Sequence, residues 1–268
     1  MTCVAHNSLF DPVRARSPAF CRLVGYTMRR YMRRSFHAVR VSKPGVAKLP
    51  PGRPAIIYTN HPSWWDPALF IVLGTGAFAD RPGYGPMDAA ALDRYRFMRR
   101  IGLFGIEAGT RRGAAQFLRT SLRILKNPDA MLWVTAEGAF TDPRERPVRL
   151  QPGVAHLASR VGNAVIVPLA IEYPFWNERY PEALCRFGEA LHAKANRATV
   201  EDWQVLLEAQ LTATMETLAA QARTRDFNLF EPVIQGAAGI GGIYDSWHRL
   251  SALVHGECFR PEHDDPER

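Results

Sequence analysis

Lysine is scarce in this chain. Of its 34 basic residues only Lys43, Lys48, Lys126 and Lys194 are lysines, so arginine carries the positive charge. Guanidinium suits bidentate phosphate binding better than ammonium does, although a GC-rich genome enriches arginine without any such role. Cysteine is equally thin. Cys3, Cys21, Cys185 and Cys258 stand far apart with no CxxC pair, which excludes a cysteine metal site and a disulfide framework and leaves unpaired thiols as the expectation. Long apolar runs are missing too. The longest, Ala68 to Ala79, is interrupted by Gly74 and Gly76 and falls short of the ~20 residues that a membrane-spanning helix needs. The first turn of sequence holds Asp11, Arg14 and Arg16 without a continuous apolar core, so no secretory leader is expected and a cytoplasmic location is.

What is present is ordinary globular material. The 268 residues are 47% hydrophobic and 22% charged, enough to bury a core as one large domain. A net charge of +8 attracts polyanions, whether nucleic acid, anionic head groups or phosphorylated substrates. From Ser17 to Ser35, Phe20, Val24, Met28 and Tyr31 recur at helical spacing, with Arg22, Arg29, Arg30, Arg33 and Arg34 on the other side of the wheel. This reads as a basic amphipathic helix, fit to lie among anionic lipid head groups or to pack on the domain with a solvated arginine face. RNA or DNA binding would draw on the same charge, but no glycine-rich loop or aromatic RNP-like segment accompanies it, and no nucleic acid is expected.

Further along, short apolar runs alternate with helical patterns. Pro54–Thr59, Arg100–Glu107, Met131–Thr135, Ala164–Ile171 and Cys185–Gly188 read as strands. Helical stretches follow near Pro62–Pro67, over 113–126, over 151–162 and over 200–225, the last capped by Thr199 and Asp202. Such alternation implies an α/β fold, a mainly parallel central sheet flanked by helices, with the basic helix at its N-terminus and a long C-terminal helix. The expected organisation is a membrane-contacting segment over 1–40, a catalytic domain over 41–230 and a glycine-rich, acidic tail over 231–268.

One segment carries chemistry. Asn60-His61-Pro62-Ser63-Trp64-Trp65-Asp66 follows directly on a strand, and the turn of a helix start can bring the Asp66 carboxylate to the His61 imidazole. A carboxylate on one ring nitrogen fixes the tautomer and makes the other nitrogen a better base. No GxSxG accompanies the pair, so the hydroxyl nucleophile is expected to come from a substrate. Trp64 and Trp65, between the two, either line an apolar groove or pack in the core.

Between Arg40 and Leu191 the chain resembles the lysophospholipid acyltransferase superfamily, typified by bacterial 1-acylglycerol-3-phosphate acyltransferases. The resemblance rests on four blocks in family order. The His-x4-Asp block matches strongly, including Asn60, and Ile166-Val167-Pro168-Leu169-Ala170 resembles the last block. The middle two depart. Gly102-Leu103-Phe104-Gly105-Ile106-Glu107 is followed by Ala108 where the family has arginine, with Arg111 and Arg112 displaced downstream. The third block, usually Phe-Pro-Glu-Gly-Thr-Arg, keeps only Glu137 and Gly138 in Val134-Thr135-Ala136-Glu137-Gly138-Ala139-Phe140. The resemblance implies His61 as general base, Asp66 as its orienting acid, and Asn60, Glu137 and Gly138 at the substrate. It also implies acyl-CoA or acyl carrier protein as donor, a lipid hydroxyl as acceptor and no resident cofactor or metal. Arg144, Arg146 and Arg149, with Arg111 and Arg112, are the candidates for holding phosphate. The displaced arginines leave open a non-phosphate acceptor such as a glycolipid or carotenoid glycoside, or an inactive membrane-binding relative.

Overall fold

The structure, a computed structural model, describes residues 10–193 and 198–236. A short turn, α1 (Pro12–Ala15), leads into α2 (Pro18–Ser35), which Ser17 caps through its hydroxyl. The chain continues through β1 (Ala38–Ser42), β2 (Ala55–Thr59), α3 (Asp66–Thr75), β3 (Gly83–Asp88), α4 (Ala89–Arg94) and β4 (Leu103–Ile106). Then come α5 (Arg111–Ile124), β5 (Met131–Thr135), α6 (Gly153–Ala158), β6 (Val165–Glu172), β7 (Glu182–Phe187) and β8 (Leu191–His192). The long α7 (Val200–Thr224) and β9 (Phe230–Gln235) complete it.

One sheet organises these elements, in the order β4-β3-β5-β2-β6-β7-β1-β9, with β8 beside β6. Its left half, from β4 to β6, is wholly parallel, and β7 turns the direction by pairing antiparallel to β6. The expected α/β fold, with a mainly parallel sheet, flanking helices and a long C-terminal helix, is the one observed. β2 lies at the centre and is buried along its whole length, so its alternating side chains serve two cores. Ile56 and Tyr58 face α5, α6 and α7 with Leu132, Ile166, Leu211 and Leu218; Ala55 and Ile57 face α2 and α3 with Val72, Leu73, Trp133 and Val167.

Several expectations need correction. The strand expected over Arg100–Glu107 begins only at Leu103, because Arg96–Ile101 winds into a 3-10 turn that closes on Gly102 at φ 98°. The helix expected over 151–162 is confined to Gly153–Ala158. The sheet also extends past residue 230, since β9 pairs antiparallel with β1 and so belongs to the domain rather than to a tail. The rest of the tail, from Ala237 on, lies outside the described residues.

The largest correction concerns α2. Its inner seam is Cys21, Gly25 and Met32, four or seven residues apart, with Gly25 seated on Thr75 of α3. Arg29, expected on the solvent side, turns inward and donates to the Val233 carbonyl at 3.0 Å. Tyr31, expected on the apolar stripe with Phe20, Val24 and Met28, is exposed together with Leu23 and Tyr26. The close approach at a small residue rotates the helix, so its outer face mixes these apolar side chains with Arg22, Arg30, Arg33 and Arg34. Among the described residues no helix is long and apolar enough to cross a membrane.

Candidate active site

The carboxyl ends of β2, β5 and β6 lie side by side, and the loops that leave them form one site. Such strand ends are the usual seat of chemistry in open α/β sheets. Backbone bonds knit two of these loops together: Ala136 N–H donates to Thr59 and Thr141 N–H to His61, at 2.9 and 3.1 Å. From β6 comes a second tether. The buried Asn60 amide donates to the Ile171 carbonyl and accepts from the Ile171 N–H, both at 2.9 Å. Asn60, expected at the substrate, is therefore committed to the scaffold, and it fixes where His61 emerges.

His61 Nδ1 lies 2.6 Å from Asp66 Oδ2. A carboxylate acceptor there assigns the proton to Nδ1 and leaves Nε2 with its lone pair free for a substrate hydroxyl. Asp66 opens α3, where Pro67 tolerates the first helical turn and the helix N-terminus favours a negative charge. Its side chain has no solvent exposure, and the carboxylate also accepts from the Ser63 N–H at 3.3 Å and the Tyr173 hydroxyl at 2.8 Å.

Glu137 has a structural partner. Its Oε2 accepts the His61 N–H at 2.6 Å, so the acid after β5 carries the loop after β2. Burial pushes the Glu137 carboxyl up, against the pull of that N–H and of His61, with Asp66 and Glu145 adding repulsion. Gly138 follows at φ 76°, a left-handed turn in which an added Cβ would sit 2.7 Å from Gln151. Above the imidazole lies Phe140, its ring centroid 4.3 Å from that of His61 while the side chain stays largely exposed.

The five arginines do not converge on this pair. Arg144 is held in a bidentate pair with Asp142, at 2.9 and 2.7 Å, which keeps the Asp142 carboxyl well below the usual range. Arg146 reaches Glu216 of α7 at 3.1 Å and two backbone carbonyls. Arg112 lies 3.8 Å from Glu107, and Arg111 and Arg149 are exposed. Of the two tryptophans, Trp65 packs between Tyr31 and Phe36, whereas Trp64 is 68% exposed. Among the described residues no group of His, Cys, Asp and Glu is arranged to hold a metal. Ser63 and Phe140 lie within the motif blocks but are given no role there, and no spacing or motif would have marked Tyr173.

A family model described as Acyltransferase matches residues 40–172, from within β1 to the end of β6, and so takes in the loops after β2 and β5 that carry His61, Asp66 and Glu137. The chain belongs to the lysophospholipid acyltransferase superfamily. Its fold is similar to that of a solved member, the 1-acyl-sn-glycerophosphate (LPA) acyltransferase PlsC from Thermotoga maritima. The TM-score is 0.51 at 15% identity, over 76% of this chain and 80% of that one. No curated protein matches the sequence. Membership makes this chain an acyltransferase by family, and the His61–Asp66 block occupies the loop between the central strand and its helix.

Proposed function

We propose that the chain moves a fatty acyl group from a thioester, acyl-CoA or acyl carrier protein, to a hydroxyl of a lipid acceptor, with His61 as general base. The supporting observation is the 2.6 Å bond between His61 Nδ1 and a fully buried Asp66 carboxylate. In this reading Nε2 takes the acceptor hydroxyl proton as its oxygen attacks the thioester carbonyl carbon. The tetrahedral intermediate then collapses, the C–S bond breaks, and the imidazolium returns the proton to the leaving thiolate. Asp66 holds the ring and stabilises its positive charge during the step.

A lysophospholipid acceptor, in keeping with the name of the Thermotoga relative, requires a phosphate close to the reacting hydroxyl, and the exposed Arg111, Arg112 and Arg149 are the side chains offered to it. Phe140 on the imidazole and the internal pairing of Arg144 and Arg146 favour a second reading, a lipid alcohol with an uncharged head such as a glycolipid. The outer face of α2, where Leu23, Tyr26 and Tyr31 stand among arginines, suits docking on the anionic inner face of the cell membrane.

Thiol release from acyl-CoA and from acyl carrier protein, measured against lysophosphatidate and a neutral glycolipid, tests this reading. His61→Ala is expected to lower turnover by about 10²–10⁴-fold, and Asp66→Asn by a similar factor with the fold intact. Undiminished turnover in His61→Ala would remove His61 from the mechanism. The faster acceptor decides between the two head-group readings.

A further inference from the structure

Asp66 poses a physical problem. It is a carboxylate without solvent exposure, and among the described residues its oxygens accept from His61 Nδ1, the Ser63 N–H and the Tyr173 hydroxyl. A buried charge in that position is costly unless its oxygens are satisfied by hydrogen bonds. Oδ2 serves His61 and Ser63, both within its own loop, while Oδ1 accepts from Tyr173, which arrives from a different strand 107 residues away.

Tyr173 is placed with care. It lies one residue past β6, two beyond Ile171, whose backbone is clamped on both sides by the Asn60 amide. The clamp registers the end of β6 against the residue before His61, so it also registers Tyr173 against Asp66. The ring is backed by Phe36, 5.6 Å away, which in turn packs edge-on against Trp65 at 4.8 Å. The hydroxyl therefore has one direction in which to point. Burial, with the nearby Asp66 charge, pushes the phenol well up, so the proton stays on Tyr173 and the group remains a donor throughout the working pH range.

We infer that Tyr173 is a positioning residue of the proposed reaction: its hydroxyl holds the outer oxygen of Asp66 and tempers the acceptor strength that Asp66 presents to His61. This rests on the acyl-transfer reading for its consequence in rate, but not for its effect on the His61–Asp66 bond. The donors to Asp66 compete for its charge. Each donor to a carboxylate draws off negative charge, so removing the phenol makes Asp66 a stronger acceptor towards the imidazole and favours the imidazolium, while also freeing the carboxylate to rotate. The other charged groups facing the pair are Glu137, bonded to the His61 N–H, and Glu145, which acts on Glu137; both stay in place when Tyr173 is altered.

The test uses the full chain and two changes of opposite sign. Tyr173→Phe deletes only the hydroxyl; replacing Tyr173 by 3,5-difluorotyrosine keeps the ring and makes the phenol a stronger donor. The first readout needs no turnover: the proton resonance of His61 Nδ1–H is expected further downfield in Tyr173→Phe and upfield in the fluorinated protein. The second is the pH profile of kcat/KM. Its acid limb should move to higher pH in Tyr173→Phe, with kcat reduced about tenfold and little change in acceptor KM. If the resonance and the limb stay put in both proteins, Tyr173 is a packing residue and the inference is wrong. If the resonance moves as stated while the unaltered protein transfers no acyl group, the positioning role stands and the acyl-transfer reading fails.

Discussion

Glu137 is the residue whose role the geometry changes most. The family resemblance put it at the substrate, yet its Oε2 is engaged by the His61 N–H at 2.6 Å. An N–H left unpaired in a buried site costs about 1–3 kcal/mol. Glu137→Ala should therefore destabilise the protein by about that amount in urea unfolding and abolish transfer, since the loop bearing His61 loses its anchor. Glu137→Gln keeps an acceptor oxygen and should retain most of both. Equal loss in the two variants would instead assign the charge of Glu137 a direct part in catalysis. His61, Asp66 and Gly138 were legible because a short motif with chemical logic contains them. The partner Tyr173 was not, because a single hydroxyl joined across 107 residues leaves no local pattern.

At the scale of elements, the helix α2 shows why periodicity is an incomplete guide. Counting apolar residues selected Phe20, Val24, Met28 and Tyr31, but the helix turns its smallest residue, Gly25, to α3. A Cβ there would lie 2.3 Å from Thr75 Oγ1. Close backbone approach buries more of both helices than a tyrosine at the seam would permit, and packing overrides the wheel. Gly25→Leu is accordingly expected to lift α2 from α3 and lower stability by about 1–3 kcal/mol in urea unfolding, while Tyr26→Ser, on the exposed face, leaves stability unchanged. A neutral Gly25→Leu would mean that α2 is not packed as described. The long α7 was better signalled, since Thr199 and Asp202 form the reciprocal capping box and the buried stripe Trp203, Leu207, Leu211, Met215 and Leu218 keeps helical spacing.

Over the whole molecule, the outer face of α2 and the exposed Trp64 bear on where the chain works. Leu23, Tyr26, Tyr31 and Trp64 are each more than two-fifths exposed, apolar surface that a docking partner would cover. If that partner is an anionic bilayer, flotation with phosphatidylglycerol vesicles should retain the protein, added salt should release it, and Leu23→Ser should weaken binding about tenfold. Equal partitioning of Leu23→Ser and the unaltered protein, or no preference for anionic over neutral vesicles, would remove the bilayer as partner. The sequence alone determined the α/β class, because buried parallel strands need continuous apolar runs separated by helix-length segments. It marked the pair at 61 and 66 as the candidate for chemistry because one short block, matched by the family resemblance, contains both. Tertiary structure decided everything that depends on which strands become neighbours. It placed β9 beside β1, turned Arg29 inward, set Glu137 under the His61 backbone and brought Tyr173 to Asp66. These contacts join residues far apart in the chain, and the packing that selects them is cooperative, so no short stretch of sequence encodes any one of them.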